Sequence, residues 1–169
     1  MDIPASTVKE LRNQSGAGVM ACRNALVEAE GNAAKALDIL KEKGILKAQK
    51  KVDRTTDQGL VESYVHTGGR IGAIIEINCE TDFVARTDEF KELAHDLAMQ
   101  IAAMPPQFIS QDEVESESDE EIELQQVCLL LQPFIKDPSK TIQDLITETI
   151  TKVGENIKVS RFARFELCG

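Results

Sequence analysis

The chain has 169 residues, of which 42% are hydrophobic, 4% are aromatic and 28% are charged, and its formal net charge is −10. Its length fits one ordinary domain or a small domain attached to a larger one, and with so few aromatic residues the core must be aliphatic. No run approaches the roughly 20 apolar residues that a membrane-spanning helix needs, and the start of the chain lacks the features of a signal or transit peptide. We therefore expect a soluble protein without a membrane partner.

The basic and acidic residues are unevenly distributed. Residues 1–56 carry ten basic and seven acidic residues, whereas residues 57–169 carry nine basic and 22 acidic residues. This asymmetry indicates two modules with different surfaces. Direct binding of nucleic acid is not expected, because an acidic surface repels the phosphate backbone. The acidity fits either a face for a protein partner or simple solvation, and the composition leaves both open.

Residues 1–46 are predicted to form three short helices. The helical spacing of apolar residues, together with Gly and Pro boundaries, predicts them at 4–13, 19–29 and 33–43, with Gly44 ending the third. Three helices of about ten residues form a minimal bundle with a small core. We therefore expect this bundle to be only marginally stable alone.

A polar, basic segment separates this bundle from a region with a different hydrophobic period. Residues 47–58 show neither a helical nor a strand pattern and are predicted to be a linker. Beyond it, residues 60–66 and 71–79 are rich in β-branched residues and are separated by a turn that contains Gly68 and Gly69. This pattern predicts a β-hairpin whose second strand has one apolar face.

Helical patterns return after the hairpin. An amphipathic helix of about 17 residues is predicted from around Phe90 to a stop at Pro105, and another from Thr141 to Gly154. Between them, residues 112–123 contain eight acidic residues and no basic residue. Such a segment is typical of a mobile or solvated insertion rather than of a core.

A third predicted strand completes an α+β fold. Its apolar residues alternate with polar ones and are predicted to share one face, which Arg161 interrupts. These apolar residues are Ile157, Val159, Ala163, Phe165 and Leu167. Together the patterns predict a three-helix bundle over 1–46, a linker, and a body over 59–169 in which a three-stranded antiparallel sheet packs against helices.

No arrangement of residues typical of an enzyme is found in the sequence. It has no G-x-S-x-G motif and no P-loop, and its cysteines and histidines lack the spacing of metal ligands, so no metal, cofactor or catalytic residue is predicted. Cys22, Cys79 and Cys128 are predicted to be buried and Cys168 to be exposed. A thiol enzyme that uses Cys79, with His66, or that uses Cys168 stays an alternative if such a thiol is accessible and acidic.

The most informative segment, residues 78–90, joins the second predicted strand to the helix that follows. Either Thr81 or Asp82 has a side chain suited to cap the helix start. Phe83 then either folds under the chain as a hydrophobic staple or projects from the connection towards a partner. The spacing alone leaves both interpretations open.

Four stretches of the chain resemble the elongation factor Ts family, in that family's order. ETDFVAR and the acidic, aromatic helix start behind it are similar to the family signature. VKELRNQSGAGVMACRNALVEAEGN resembles the N-terminal module, and GRIGAIIEINCETDFVAR resembles the core hairpin. QPFIKD and the later VGENIKVSRFARFE resemble the end of the core. The resemblance covers most of the chain, and the combination is highly specific.

The resemblance implies a partner, a function and a set of contact residues. Members of this family bind elongation factor Tu in its GDP form and promote GDP release as exchange factors, without covalent chemistry or a cofactor. Their three-helix head resembles a ubiquitin-associated (UBA) domain and docks on the partner's GTP-binding domain. The positions of this chain that match partner contacts are Arg12, Val19, Met20, Arg23, Thr81, Asp82, Phe83, Val84, Val153 and Gly154.

Two of these groups have implied roles at the nucleotide. Asp82 and Phe83 match residues that intrude near the partner's Mg²⁺ and nucleotide site, with the aromatic ring between two partner helices. Val153 and Gly154 match an element that approaches the phosphate-binding loop. A factor that stabilises a loop arrangement unable to hold Mg²⁺ must weaken the binding of GDP.

The chain also departs from the family pattern. Longer members carry two copies of the core, whereas this chain has room for one, and short members pair as homodimers. We therefore expect a homodimer, with Cys168 as a hypothetical intermolecular disulfide. The acidic segment 112–123 is expected to be a shortened form of a longer excursion, and this shortening suggests a divergent lineage of plastid or cyanobacteria-like type. The expected location is a bacterial cytoplasm or a plastid stroma. The alternative function is a UBA-like adaptor that binds a protein without exchange activity.

Overall fold

The computed structural model describes residues 3–114 and 123–168 and has the predicted α+β architecture. Its helices are α1 (Ala5–Ser15), α2 (Val19–Glu28), α3 (Ala33–Gln49), α4 (Asp82–Ala85), α5 (Asp88–Ala103), α6 (Leu124–Val127) and α7 (Ile142–Val153). Its strands are β1 (Gln58–Val65), β2 (Ile71–Cys79), β3 (Pro133–Phe134), β4 (Asp137–Thr141) and β5 (Ile157–Glu166). The helical bundle therefore precedes a body in which helices and a small sheet are interleaved.

The first three helices pack around a small core of their own. Its buried side chains are Val8, Leu11, Cys22, Ala25, Leu26, Ala29, Ala36 and Leu40. α1 ends at Gly16, whose backbone has a left-handed φ of 66°. This conformation costs glycine little free energy, because glycine has no side chain. Asn32 caps the start of α3, since its side chain accepts a hydrogen bond from Lys35 N–H at 3.1 Å. The predicted three-helix bundle is present, and its likeness to a UBA domain stays a prediction.

The third helix, α3, is longer than the sequence indicates. It continues through Gly44 to Gln49, so the prediction that Gly44 ends it is wrong. Gly44 instead allows α3 to approach α7, because a Cβ at this position would lie 3.1 Å from Thr151 Oγ1. Further along, Ala48 is buried in the core of the body. The first residues of the predicted linker 47–58 are therefore helical, and the division into head, linker and body stays a prediction.

The main sheet has three antiparallel strands in the order β1-β2-β5. Cys79, the last residue of β2, pairs with Gln58 on one side and Ile157 on the other, so the three strands share one end. The predicted apolar face of β2 packs against α5, and α7 packs against α5 in turn. Fully buried side chains of this core include Ile75, Ile77, Phe90, Leu97, Ile101 and Ile142.

A β-bulge changes the alternation of β5. Glu76 pairs with Arg161, but the next residue of β2, Ile77, pairs with Val159, so Ser160 is an extra residue in β5. Such an insertion reverses which residues face the core beyond that point. Arg161 consequently does not interrupt the core face, and its Nε donates a hydrogen bond to Glu76 Oε2 at 2.6 Å.

The bulge divides the apolar residues of β5 between two faces. Phe162 packs against the core, whereas Phe165 is 72% exposed. The prediction that all the alternating apolar residues of this strand share one face is therefore wrong. We call the solvent side of the sheet the outer face. Its exposed large hydrophobic residues are Val61, Val65, Ile74, Phe165 and Leu167.

The segment between α5 and α7 contains structure that the sequence did not indicate. β3 and β4 form a two-stranded antiparallel ladder. The fully buried Gln100 of α5 holds this segment, because its Oε1 accepts from Ile135 N–H at 2.9 Å and its Nε2 donates to Gln132 Oε1 at 3.1 Å. Most of the predicted acidic insertion, residues 115–122, lies outside the described residues.

Gly59 brings β1 into close contact with β2. A Cβ at this position would lie 2.1 Å from the Ile77 carbonyl oxygen. We expect Gly59→Ala to lower the free energy of unfolding by about 2–3 kcal/mol, because the strands must separate to admit the methyl group. Gly72→Ala is the matched control in the same sheet, since its Cβ would make ordinary contacts at 3.6 Å. Urea unfolding measures both variants, and equal stability would contradict the close approach.

Candidate functional site

Phe83 projects into solvent from a single turn of helix, α4, at the end of β2. Thr81 caps this turn, since its Oγ1 accepts a hydrogen bond from Val84 N–H at 3.4 Å. Phe83 is 79% exposed, so the interpretation that it folds under as a staple is wrong. The next residue, Val84, is 8% exposed and packs in the core. An exposed ring is thus attached directly to an anchored backbone.

Asp82 stands beside Phe83 and is also accessible. Its Oδ2 lies 2.8 Å from Arg86 Nη2, one helical turn further on, and both side chains are at least half exposed. An exposed pair of this kind contributes about 0–1 kcal/mol and breaks easily. The Asp82–Phe83 pair, called the tip below, therefore offers a ring and an available carboxylate together.

A carboxylate from another part of the chain holds the base of the tip. Glu155 lies in the turn between α7 and β5, and its Oε2 accepts hydrogen bonds from the backbone N–H groups of Glu80 at 3.1 Å and Thr81 at 2.9 Å. Its Oε1 accepts a third from Thr81 Oγ1 at 2.6 Å. A hydrogen bond to a charged group contributes about 1.5–3 kcal/mol when it is shielded from water. The tip and the α7–β5 turn are therefore joined directly.

A reciprocal contact runs in the opposite direction. Glu80 Oε1 accepts from the backbone N–H of Asn156 at 2.7 Å. Asn156 is buried, and its Nδ2 donates to two carbonyl oxygens of the segment 52–54 at 3.2 and 3.0 Å. Lys51 Nζ donates to the Gly154 carbonyl oxygen at 2.6 Å, and burial lowers the pKa of this ammonium group. Three segments that are distant in sequence therefore meet at this site.

The structure brings one group of the predicted contact residues together. Residues 81–84 and the pair 153–154 belong to the two segments that Glu155 joins. Gly154 ends α7 with a left-handed φ of 80° and is exposed, while Val153 is half-buried. Apart from Val84, which is buried in the core, these residues are accessible and lie on two segments that meet at the shared end of the three strands.

The remaining predicted contact residues lie on the helical bundle. Arg12 is exposed on α1, and Val19, Met20 and Arg23 are exposed on α2, with Met20 at 62%. Met20 and Arg23 face away from the bundle core, in which Cys22 of the same helix is fully buried. They form a second surface, distinct from the hydrogen-bonded tip.

Three of the four cysteines are core residues. Cys22, Cys79 and Cys128 are fully buried and Cys168 is exposed, as predicted. Burial, with a contribution from the charge of Glu155, raises the pKa of Cys79 to about 11. Its register opposite Gln58 also separates it from His66, which lies at the other end of the hairpin. Cys79 therefore lacks both properties that a thiol enzyme needs.

Within residues 3–114 and 123–168, no cluster of three or more His, Cys, Asp or Glu side chains is placed to hold a metal ion. In the same part of the chain, no helix has the length and apolarity needed to cross a membrane.

Glu80, Glu155 and Asn156 are the residues of this site that sequence reasoning missed. Each is polar and lies in a connection, where a solvated side chain is the ordinary expectation. The signal that would have found them is the pairing of β2 with β5. Once Cys79 is opposite Ile157, the residues just beyond each strand must face each other.

Comparison with known proteins identifies the group to which this chain is related. Residues 5–125 match the family model described as Elongation factor TS. An elongation factor Ts from Carboxydothermus hydrogenoformans is 47% identical over 193 residues, covering 98% of this chain and 89% of the relative. One from Caldanaerobacter subterraneus subsp. tengcongensis is 47% identical over 192 residues, covering 97% of this chain and 96% of the relative.

The chain belongs to the elongation factor Ts family. Membership makes it a translation elongation factor by descent. The match to the first of these elongation factor Ts proteins spans 193 residues, more than the 169 of this chain, so that relative carries internal residues that this chain lacks. That the shortening falls in the acidic segment 112–123 stays a prediction.

Proposed function

We propose that this chain is a guanine-nucleotide exchange factor that binds elongation factor Tu in its GDP form and promotes the release of GDP. The single observation that carries the proposal is the tip: Phe83 is 79% exposed, yet its backbone is anchored on both sides. Large exposed aromatic side chains on rigid supports are typical of binding hot spots. Since little freedom remains to be lost, the ring is ready to enter a partner.

The tip acts at the nucleotide site of the partner. Phe83 enters between side chains of two partner helices, Asp82 reaches towards the Mg²⁺ site, and Thr81 flanks them. Val84, the fourth matching position, is buried and anchors the turn from the core side. Gly154, with Val153 behind it, approaches the phosphate-binding loop. The direct link from Glu155 to Thr81 supports this arrangement, because it makes these elements one surface.

Exchange follows from differential binding and requires no covalent chemistry. GDP is held by a preorganised loop and by a Mg²⁺ ion that bridges phosphate and protein. A chain that stabilises the loop arrangement unable to hold Mg²⁺ weakens the binding of GDP to elongation factor Tu. In return, GDP weakens the binding of the chain by the same factor. A coupling of about 4 kcal/mol corresponds to roughly a thousandfold change in affinity.

The helical bundle supplies the second contact, on the GTP-binding domain of elongation factor Tu. Met20 and Val19 offer exposed apolar surface at 62% and 52%, Arg23 is exposed one turn further along α2, and Arg12 is exposed on α1. Exposed Met together with Arg is a composition suited to a protein interface. This contact holds the chain on its partner while the tip acts on the nucleotide.

Release of labelled GDP from elongation factor Tu tests this function. The chain is expected to accelerate the release severalfold or more at micromolar concentration. A UBA-like adaptor without exchange activity would bind elongation factor Tu, or another protein, and leave the rate of GDP loss unchanged. That second result would refute the exchange function while leaving family membership intact.

Self-association accompanies this function, and we assign it to the outer face of the sheet. Exposed apolar side chains lie on both edge strands of this face, together with the exposed Ser63 and Arg161, and clustered apolar surface is typical of an interface. The chain carries a net charge of −10, which opposes self-association, but Glu76 on this face is neutralised by Arg161 at 2.6 Å. When the same patch on two chains meets across a two-fold axis, the assembly is closed and forms a dimer.

Cys168 is the proposed covalent link of that dimer. It is exposed and follows Leu167, which belongs to the outer face. Under oxidising conditions we expect a band of twice the chain mass on a non-reducing gel, and Cys168→Ser is expected to remove it. The absence of such a band in the parental chain would refute the disulfide and leave non-covalent pairing untouched.

We place this activity in a bacterial cytoplasm, where a translation elongation factor of this family works, because the relatives reported above come from bacteria. The other expected location, a plastid stroma, stays a prediction that rests on the shortened acidic segment.

A further inference from the structure

We infer that Glu155 is a positioning residue for nucleotide exchange: it holds the tip and the α7–β5 turn as one rigid unit. The inference rests on the proposed function. It adds a residue that has no contact of its own with the nucleotide site and that acts through Phe83.

The geometry of Glu155 is that of a clamp rather than of a surface charge. One carboxylate accepts three hydrogen bonds, from Glu80 N–H, Thr81 N–H and Thr81 Oγ1, at 2.6–3.1 Å. The two backbone donors precede the α4 turn and have no role in its helical ladder. Without Glu155 these donors would turn to water, and the backbone immediately before Asp82 would lose its fixed direction.

The position of Glu155 in the chain gives the clamp a second consequence. It follows Gly154 directly, so whatever moves the α7–β5 turn also moves the support of the tip. The reciprocal bond from Asn156 N–H to Glu80 Oε1 at 2.7 Å prevents the two segments from rotating past each other. A partner that meets Phe83 and Gly154 therefore meets two elements with a fixed separation.

The charge of the carboxylate strengthens this clamp. Three donors converge on Glu155, and an ionised carboxylate presents acceptor sites to all of them without a donor of its own. In Glu155→Gln, the amide oxygen can still accept from the two backbone N–H groups, while the NH₂ group donates to the Thr81 hydroxyl oxygen, whose own proton then loses its acceptor. The residue size is unchanged, but the contacts lose the charge that strengthens them, so the tip is held less firmly.

The test combines kinetics with hydrogen exchange in the full chain. Glu155→Gln is expected to lower the maximal rate of GDP release from elongation factor Tu about tenfold and to leave the half-saturating concentration within about twofold, because the bundle still binds. In a Phe83→Ala background the same change is expected to have less than about a twofold effect, because a residue that acts through Phe83 has nothing left to position. Amide exchange at Thr81 is expected to accelerate at least about tenfold.

Two further variants make the result specific. Glu148→Gln, on α7 and paired with Lys140 at 2.9 Å, is the matched control and is expected to match the parental chain in every readout. Glu155→Asp keeps the charge but is too short to reach all three donors. Its maximal rate of GDP release is therefore expected to fall, but by less than that of Glu155→Gln. If Glu155→Gln does not fold, Glu155→Asp is measured in its place.

Several results would overturn the inference. They are a parental rate of release in Glu155→Gln, an undiminished effect of that change in the Phe83→Ala background, or unaltered exchange at the Thr81 amide. A parental chain that does not accelerate GDP release refutes the proposed function itself, and the positioning role falls with it. The two failures are distinguishable, since one is seen in the parental chain and the other only in its variants.

Discussion

Phe83→Ala is expected to lower the maximal rate at which this chain releases GDP from elongation factor Tu by about a hundredfold. The ring is 79% exposed in the free chain, so its removal costs the fold less than about 0.5 kcal/mol. The loss therefore falls on the proposed complex, in which the ring would be the wedge that keeps the Mg²⁺ site open. Release of labelled GDP at a series of chain concentrations separates the maximal rate from the half-saturating concentration.

Two comparisons show whether that loss belongs to the wedge. Phe83→Leu keeps an apolar side chain and is expected to retain most of the rate. Met20→Ala lies on the bundle and is expected to raise the half-saturating concentration about tenfold while leaving the maximal rate within about twofold. A Phe83→Ala chain that releases GDP at the parental rate would show that the wedge assignment is wrong.

A charge on the outer face of the sheet is expected to convert the proposed dimer into a monomer. Phe165 is 72% exposed on this face, and Leu167 beside it is 57% exposed. In Phe165→Asp a dimer would bury two carboxylates without partners, so the dissociation constant is expected to rise at least about a hundredfold. Sedimentation velocity at several chain concentrations measures the shift.

The control for this experiment adds the same charge elsewhere. Val27→Asp changes an exposed apolar residue of α2, outside the outer face, and is expected to leave the dimer intact. A Phe165→Asp chain that sediments as the parental dimer would contradict the assignment of the outer face. A parental chain that is monomeric at every concentration would contradict the dimer itself.

The elements that the sequence predicts well are those with local boundaries. β2 runs from Ile71 to Cys79 as predicted, because a turn precedes it and its alternate residues are apolar. α7 begins at the Thr141 cap, where Thr141 and Asp144 exchange hydrogen bonds, and ends at Gly154. In each case the residues that stop the element are its neighbours in the chain.

The elements that the sequence predicts poorly are decided by distant contacts. Gly44 has the local character of a helix end, but it is required where α3 approaches Thr151 of α7. Ser160 has no feature that marks it as a bulge, and the mismatch becomes visible only when β5 is paired with β2. Neither partner could be known from the residues near Gly44 or Ser160.

The residues of the candidate site also fall into those that the sequence indicates and those that depend on distant contacts. The segment around Phe83 is recognisable in the sequence, because an aromatic residue follows a buried strand at a predicted cap. Spacing does not determine whether Phe83 or Val84 enters the core, since both are apolar and adjacent, and the structure buries Val84. Glu155 was not identifiable at all, because its role depends on the alignment of two strand ends.

The central claim is that the tip favours a state of elongation factor Tu that binds Mg²⁺ and GDP poorly. Calorimetry tests it most directly, by measuring the affinity of elongation factor Tu for this chain with and without saturating GDP and Mg²⁺, and its affinity for GDP with and without the chain. The two ratios are expected to be equal and of the order of a thousandfold. If the chain binds the nucleotide-free and the GDP-bound partner equally tightly, the claim is contradicted.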